Sequence, residues 1–464
     1  MKKLAIIIYT LLLTGSMYGQ DITGQWYGVL KVQGTQLRLV FNVNKTEFGY
    51  KSTLDSPDQG AKGIAVTTTT FKNSTVKFEI SNLQIEYNGE LKKDGFVGVF
   101  KQGAQEFLMN LSRDPIEKEV IRRPQEPTKP YPYYVEEVAF ENSIDSNTLS
   151  GTLTLPSKEG KYPAVVMITG SGPQNRDEEL LGHKPFLVIA DHLTKQGIGV
   201  LRYDDRGTAK STGDFKSASS EDFAKDVESA VAYLKTRNDI DNTNIGLIGH
   251  SEGGLIAPMV AAESADIAFI VLLAGTGISG ADILLLQSEL IAKADGADEI
   301  KLQKELTMLK GGLDIITKSN DLEEAKPVLK KYIANALNNN PELLPEGTAM
   351  NAYTDAMVGQ LATPWFQFFL KYDPGTSLVK VKCPVLAING ENDLQVPSQV
   401  NLDAIKKYLT AGGNTDFLIK AFPNLNHLFQ ESTTGSPTEY SEIEQTFSPE
   451  ALTEISNWIL KHLK

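Results

Sequence analysis

The sequence predicts an α/β chain: a mostly parallel sheet with a helical insertion, preceded by a small all-β barrel or sandwich. Three observations predict it. First, short continuous apolar runs recur in the last two thirds of the chain, at Ala164-Val165-Val166-Met167-Ile168, Ile198-Gly199-Val200-Leu201, Ile245-Gly246-Leu247-Ile248, Phe269-Ile270-Val271-Leu272-Leu273 and Pro384-Val385-Leu386-Ala387-Ile388. Such runs are the mark of strands buried on both faces. Second, the residues before about 113 alternate with period two, as strands with one wet face do. Third, Ile278 to Thr376 shows helical spacing between two of those buried strands.

In chain order, Met1-Lys2-Lys3 supplies positive charge and Leu4 to Leu13 an apolar core. A core of about ten residues is too short to span a bilayer. Small residues follow at Thr14, Gly15, Ser16 and Gly19. Residues 1–19 therefore read as a signal peptide cleaved near Gly19 or Gln20, with no cysteine there for a lipid anchor. The expectation is a periplasmic or secreted bacterial protein, with no membrane insertion after cleavage.

Residues 20–113 read as the β domain. Leu37, Leu39, Phe41 and Val43 alternate, as do Val76, Phe78 and Ile80, then Leu83, Ile85 and Tyr87. Turns at Asp55-Ser56-Pro57, Asn88-Gly89 and Asp94-Gly95 punctuate seven or eight strands. The opening Gly24-Gln25-Trp26 with Gly28 resembles the Gly-x-Trp start of lipocalins. A barrel this small can be filled by its own side chains, so an accessory packing role is favoured over ligand binding. Residues 114–134 carry Pro115, Pro124, Pro127, Pro130 and Pro132 and read as a semi-rigid spacer. The remainder, 135–464, is the expected catalytic domain.

The most telling stretch is Gly249-His250-Ser251-Glu252-Gly253-Gly254, between the apolar run at Ile245 and a helix-like Leu255-Ile256-Ala257. With 38 glycines in 464 residues, a chance Gly-x-Ser-x-Gly occurs in roughly one of five such chains, so its setting decides. Strand–turn–helix is the setting of a nucleophile elbow, a turn so tight that side chains at Gly249 and Gly253 would collide with the neighbouring strand and helix. It presents the Ser251 hydroxyl above the start of a helix.

A serine nucleophile needs an imidazole to take its proton and a carboxylate to orient that imidazole. The chain has five histidines: His183, His192, His250, His427 and His462. His427 follows the strand-like Phe417-Leu418-Ile419-Lys420-Ala421, and Asp393 follows the strand at Val385. Ser251, Asp393 and His427 thus all lie past the C-terminal ends of strands, where open α/β sheets place their sites. His183, His250 and His462 are the rival bases; Glu391 and Asp403 are the rival acids. The oxyanion donors expected are the backbone N–H of Glu252 and one from the turn Gly170-Ser171-Gly172-Pro173-Gln174, at Ser171 or Gly172, since Pro173 has none.

The order serine, acid, histidine in this setting resembles the α/β-hydrolase family. Gly170-Ser171-Gly172-Pro173-Gln174-Asn175-Arg176-Asp177, Gly182-His183-Lys184-Pro185-Phe186, Arg202-Tyr203-Asp204-Asp205-Arg206-Gly207 and the serine motif together resemble a bacterial carboxylesterase group of EstD type, near the prolyl-oligopeptidase-like branch. The resemblance covers about residues 135–464. It implies an α/β-hydrolase fold with a helical cap at about 278–376 and hydrolysis of short-chain esters. Asp204, Asp205 and Arg206 read as residues that knit their loop to its neighbours. In the cap, Pro364-Trp365-Phe366-Gln367-Phe368-Phe369-Leu370 is unusually aromatic. Trp365, Phe366 and Phe369, with His183, are the expected substrate-binding side chains.

A net charge of −13 without a long basic stripe argues against nucleic-acid or anionic-membrane partners. One cysteine, Cys383, permits no intrachain disulfide. No metal motif or phosphate loop appears, and the triad requires no cofactor. The expected partner is a small-molecule ester; the composition leaves the oligomeric state open. A serine peptidase or acyl-peptide hydrolase is the alternative within the same chemistry. A ligand-binding protein with an inactive hydrolase unit is the alternative outside it.

Overall fold

The computed structural model describes residues 21–32, 35–103, 105–117, 123–345 and 347–464. The expected signal peptide, residues 1–19, lies outside the described residues. Contacts divide the chain into two compact units with their boundary at residues 118 and 119.

Among the described residues the first unit has nine strands: β1 (Gly24–Val32), β2 (Thr35–Thr46), β3 (Gly49–Ser56), β4 (Ala61–Ala65), β5 (Thr68–Lys72), β6 (Thr75–Ile80), β7 (Ile85–Lys92), β8 (Gly95–Gln102) and β9 (Gln105–Leu111). β1–β4 form one sheet and β5–β9 a second. Tyr27 and Ser112 exchange two backbone hydrogen bonds of 2.9 Å, so β1 also meets the end of β9. The count exceeds the expected seven or eight because the chain breaks into two short strands, β4 and β5, either side of Val66-Thr67. Aromatic rings fill the interior. Phe41 stacks on Phe78 with centroids 4.3 Å apart, and the Arg113 guanidinium lies 3.7 Å from the Trp26 ring centre.

The second unit is built on an eight-stranded sheet. Its strands are β10 (Tyr134–Asn142), β11 (Asn147–Leu155), β12 (Tyr162–Ile168), β13 (Gly199–Tyr203), β14 (Ile240–His250), β15 (Ile270–Leu273), β16 (Val385–Gly390) and β17 (Phe417–Phe422). The order is β10-β11-β13-β12-β14-β15-β16-β17. β10 and β11 run antiparallel to their neighbours; β12 to β17 are parallel. Alternate residues of a strand face opposite sides. Val166, Ile168 and Leu247 accordingly pack with helices α2 (Ser220–Lys235), α3 (Glu252–Glu263) and α10 (Ser398–Ala411). Val165, Met167 and Ile248 pack with α1 (Pro185–Lys195) and α11 (Pro449–His462). Both faces are covered, which is why these strands read as unbroken apolar runs.

Between β15 and β16 lie α4 (Gly280–Ala294), α5 (Glu299–Lys318), α6 (Leu322–Asn339), α7 (Met350–Leu361), α8 (Pro364–Lys371) and α9 (Gly375–Leu378). Leu329, Ile333 and Leu337, one turn apart on α6, pack with Leu313, Ile316, Leu361 and Leu370 in a core separate from the sheet. The insertion is therefore a small helical body of its own. Among the described residues no helix is long and apolar enough to cross a membrane.

The proline-rich segment, expected as a spacer, departs from expectation in its second half. Arg123 donates to the carbonyls of Ser441 at 3.0 Å and of Ile443. Gln125 Oε1 accepts the backbone N–H groups of Thr446 at 2.6 Å and Phe447 at 3.0 Å. Its amide donates to the Phe447 carbonyl at 2.6 Å. Proline rigidity set the sequence reading, whereas these long side chains tie the segment down. A chain shortened to begin near residue 119 should keep these bonds and the hydrolase unit's stability. One beginning at Tyr133 should melt several degrees lower in a calorimetric scan.

The Tyr87 hydroxyl is buried without a hydrogen-bond partner among the described residues. It sits against the backbone of Gly89 and Gly98, where a Cβ would come within 2.5 and 2.6 Å of it. Tyr87→Phe removes an unsatisfied polar group and keeps the ring, so it should stabilise the β unit by about 1 kcal/mol in urea unfolding.

Candidate active site

The site begins with a steric fact. Ser251 has φ 52° and ψ −112°, between the last residue of β14 and the first of α3. A Cβ on Gly249 would stand 2.0 Å from the Gly253 carbonyl oxygen, and one on Gly253 would stand 2.2 Å from that of Ile168. Glycine is required at both places, one collision being with the helix and the other with the adjacent strand. The Ser251 N–H bonds the Leu273 carbonyl on β15 at 2.8 Å, and its own carbonyl accepts the Gly254 N–H at 2.9 Å.

His427 reaches the elbow on the loop after β17. Gly390 at the end of β16 lets that loop close in, since a Cβ there would lie 2.0 Å from the Leu425 carbonyl oxygen. Asn426, fully buried, shapes the turn: its Oδ1 accepts the N–H groups of Leu428 at 3.0 Å and Gln430 at 2.9 Å. His427 Nδ1 lies 2.8 Å from Asp393 Oδ2. Asp393 Oδ1 takes the N–H groups of Gln395 and Val396, each at 2.8 Å, so the carboxylate is aimed and its second oxygen is free for the imidazole. That bond makes Nδ1 the protonated nitrogen and turns Nε2 outward as the acceptor. Glu391 and Asp403 are exposed and make no such contact with His427.

The oxyanion turn is braced from both ends. Asp205 Oδ1 accepts the Thr169 hydroxyl at 2.7 Å, and Oδ2 accepts the Gln174 N–H at 2.9 Å. Burial pushes the Asp205 carboxyl well above the usual carboxylate range. The Gly170 N–H is taken by Glu178 Oε1 at 2.6 Å, which leaves Ser171 and Gly172 as the turn's candidate donors. Gly172 and Glu252 border one small cavity of about 10 Å³, the space of a single water. Glu252 begins α3, so its N–H has no acceptor within the helix. The neighbours of Asp205 are knitted as the sequence suggested: Asp204 pairs with Arg176 at 2.7 Å, and Arg206 with Asp226 at 2.7 Å.

Three expectations about the pocket need correction. His183 is fully buried, with Nδ1 3.0 Å from the Thr446 hydroxyl and Nε2 2.8 Å from the Tyr440 carbonyl. Burial pulls its imidazole down to about 4, so it is a neutral structural pin and not a substrate-binding side chain. Phe366 belongs to the cap's own core. Phe369 stacks beneath Trp365 with centroids 5.2 Å apart, against the close approach of Gly280. Trp365 alone of the three connects directly to the elbow. Its indole N–H donates to Glu252 Oε1 at 2.7 Å, and the Ser220 hydroxyl donates to the same oxygen at 2.7 Å. Two further side chains at the elbow, Glu178 and His250, bond to each other at 3.0 Å. Glu178 belongs to no periodic pattern, and the bonding of His250, a rival base by sequence, leaves no mark in the chain. Among the described residues no group of three or more His, Cys, Asp or Glu is placed to hold a metal ion.

A parallel sheet capped by helices, with a strained serine after its central strand and a histidine–aspartate pair beyond two later strands, defines an α/β hydrolase. A family model described as X-Pro dipeptidyl-peptidase (S15 family) matches residues 145–409, more than half of the chain, and the chain belongs to that family. Esterase EstD of Thermotoga maritima is 26% identical over 333 residues, which span 71% of this chain and 70% of that protein. Among solved structures, the esterase Pf2001 of Pyrococcus furiosus aligns with a TM-score of 0.44 at 16% identity, over 75% of this chain and 100% of its own. The α/β hydrolase GrgF from Penicillium sp. sh18 aligns with a TM-score of 0.44 at 16% identity, over 71% of this chain and 99% of its own.

Burial pushes the Glu252 carboxyl up to about 7, against an ordinary value of 4.5. The folded state therefore holds this proton longer than the unfolded chain. Its favourable contribution is complete below the unfolded value and is lost as pH rises through the folded one. Glu252→Gln keeps an acceptor for Trp365 and Ser220 but has no proton to lose. Relative to the parent protein, its urea midpoint should climb between about pH 4.5 and 7 and level off above.

Proposed function

We propose that this protein is an exported serine carboxylesterase acting on short-chain esters. Ser251 attacks the ester carbonyl while His427 Nε2 takes its proton. Asp393 orients His427 and stabilises the imidazolium. The N–H groups of Glu252 and of Ser171 or Gly172 take the developing oxyanion. His427 then protonates the departing alcohol, and water, activated in the same way, releases the acid. The observation that carries this reading is the strained Ser251 between β14 and α3 together with His427 Nδ1 held 2.8 Å from a buried Asp393. Export rests on the charge and apolar pattern of residues 1–19.

The family match favours a second reading, cleavage of a peptide after X-Pro. An enzyme of that kind must anchor a peptide's terminal ammonium, and a buried carboxylate is the natural anchor. Glu178 and Glu252, buried about the elbow, each turn Oε1 to protein partners, Gly170 and His250 for the first and Ser220 and Trp365 for the second, while Glu178 Oε2 is buried without a hydrogen-bond partner among the described residues. The similarity to an esterase adds to the ester reading.

A fluorophosphonate probe should label Ser251, and Ser251→Ala should lower ester turnover by roughly 10³-fold or more with the fold unchanged. Asp393→Asn should lower it by roughly 10³- to 10⁴-fold through the wrong imidazole tautomer. Labelling at another serine, or near-normal turnover in Ser251→Ala, defeats the assignment.

Substrate class is decided by a panel of aryl esters of rising acyl length beside X-Pro and aminoacyl arylamides. Each methylene gains up to about 0.8 kcal/mol while it fits, after which overpacking reverses the trend. With Trp365 as a wall, rates should peak from acetyl to butyryl, and Trp365→Ala should move the peak to longer chains. Faster turnover of the X-Pro arylamide than of any ester would establish the peptidase reading in its place.

A further inference from the structure

Directly before the nucleophile, His250 is buried and bonded at both ring nitrogens. Nδ1 lies 3.0 Å from Glu178 Oε1, and Nε2 lies 3.0 Å from the backbone carbonyl oxygen of His427. Both partners are acceptors. A neutral imidazole has one N–H and can serve only one of them; an imidazolium serves both. Glu178 Oε1 in turn accepts the Gly170 N–H at 2.6 Å, a length suited to a charged acceptor. The other possible arrangement places a proton on Oε1 for donation to Nδ1. It asks that oxygen to donate and accept at once. It also leaves the proton on a group about two pK units less basic than imidazole in water.

We propose that His250 and Glu178 are a buried ion pair that positions the two working arms of the site. The proposal rests on the site reading given above. Through Glu178 the pair holds Gly170, the first residue of the oxyanion turn. Through His250 it holds the carbonyl of His427, and so the backbone from which the general base projects. The Gly170 backbone also lies against the nucleophile: a Cβ there would stand 3.3 Å from both Ser251 Cβ and Glu178 Oε1. One pair therefore sets the spacing of base, nucleophile and oxyanion donors, which no single backbone element spans. His250 and Glu178 are positioning residues; neither touches the reacting atoms.

The pair also carries an electrostatic consequence. The rings of His250 and His427 are 4.7 Å apart, so a fixed cation stands beside the base. Facing His427 as well are the Asp393 carboxylate and the Tyr440 phenol. Glu178 faces the carboxyl of Asp205. Removing the cation alone leaves Glu178 uncompensated and makes His427 easier to protonate.

The test compares His250→Asn, Glu178→Gln and the double variant by kcat, KM and the pH dependence of kcat/KM on an aryl ester. Each single variant should lose about 10- to 100-fold in kcat with little change in KM. His250→Asn should move the acid limb of kcat/KM to higher pH, and adding Glu178→Gln should move it back. A purely structural role would lower kcat without moving the limb. An acid limb unmoved in His250→Asn overturns the proposal.

Histidine ring ¹⁵N spectra of the whole protein give a readout independent of activity and of any variant's folding. His250 should carry protons on both ring nitrogens at neutral pH, where an ordinary imidazole carries one. It should lose one in Glu178→Gln, and its signals are assigned in the parent protein by through-bond correlation to the His250 backbone. A singly protonated His250 in the parent protein overturns the proposal whatever the kinetics. A doubly protonated His250 in a protein that cleaves no ester supports the ion pair and removes the esterase reading instead.

Discussion

The rest of the molecule depends on the crowding at the serine turn. A non-glycine residue in this backbone region costs roughly 1–3 kcal/mol and persists only where its surroundings hold it. Here they do so from three strands. β14 delivers the turn, β15 accepts the Ser251 N–H at 2.8 Å, and β12 stands so close to Gly253 that a methyl group would meet the Ile168 carbonyl at 2.2 Å. Gly254 tightens the same junction, its missing Cβ being 2.5 Å from Gly275 Cα. The turn thereby fixes how far the oxyanion strand lies from the nucleophile. The parallel sheet is what makes this possible, since it brings the C-terminal ends of β12, β14 and β15 to one edge. Buried side chains on both faces hold those ends in place.

That dependence explains what the sequence made legible. Strands β12 to β16 could be read because burial on both sides leaves only apolar residues. The hairpin β10–β11 was not read, because strands such as Val135-Glu136-Glu137-Val138-Ala139-Phe140 mix charge into a half-buried edge. Helix α7 escaped notice because only Thr354 and Leu361 of it are buried, too few to mark a helical period. The docking of Arg123 and Gln125 left no trace at all, since their partners are backbone atoms around residue 445 that a one-dimensional pattern cannot bring near.

The site divides along the same line. The places of Ser251, Asp393 and His427 after β14, β16 and β17 were legible because position within a fold can be counted along the chain. His183 was misread because a loop histidine beside glycine and proline suggests exposure. Its actual partners, Tyr440 and Thr446, lie more than 250 residues away. The aromatic run of α8 signalled a pocket wall by composition alone. Its helical period instead sends Phe366 into the cap core and leaves Trp365 as the ring that meets Glu252.

The chemistry of the elbow poses an electrostatic problem that the surrounding groups answer together. Glu178, Glu252 and Asp393 are buried, and Asp205 half-buried, around the place where the proposed mechanism develops negative charge on an oxyanion. Four ionised carboxylates would oppose that charge in a medium that screens it poorly. Each is therefore neutralised in its own way. Asp393 faces His427 and two backbone N–H groups. Glu178 faces His250 and Gly170. Asp205 and Glu252 are pushed by burial toward the protonated form, Glu252 to about 7. The acids can then serve as hydrogen-bond braces without setting a repulsive field. This also explains why the residue after Ser251 can be a glutamate: the proposed mechanism uses its backbone N–H, while its side chain, tied to Ser220 and Trp365, acts as an uncharged or weakly charged link between body and cap. At higher pH that link acquires charge one residue from the reacting oxygen, so ester turnover should be sensitive to Glu252 ionisation even though its carboxyl takes no part in the chemistry.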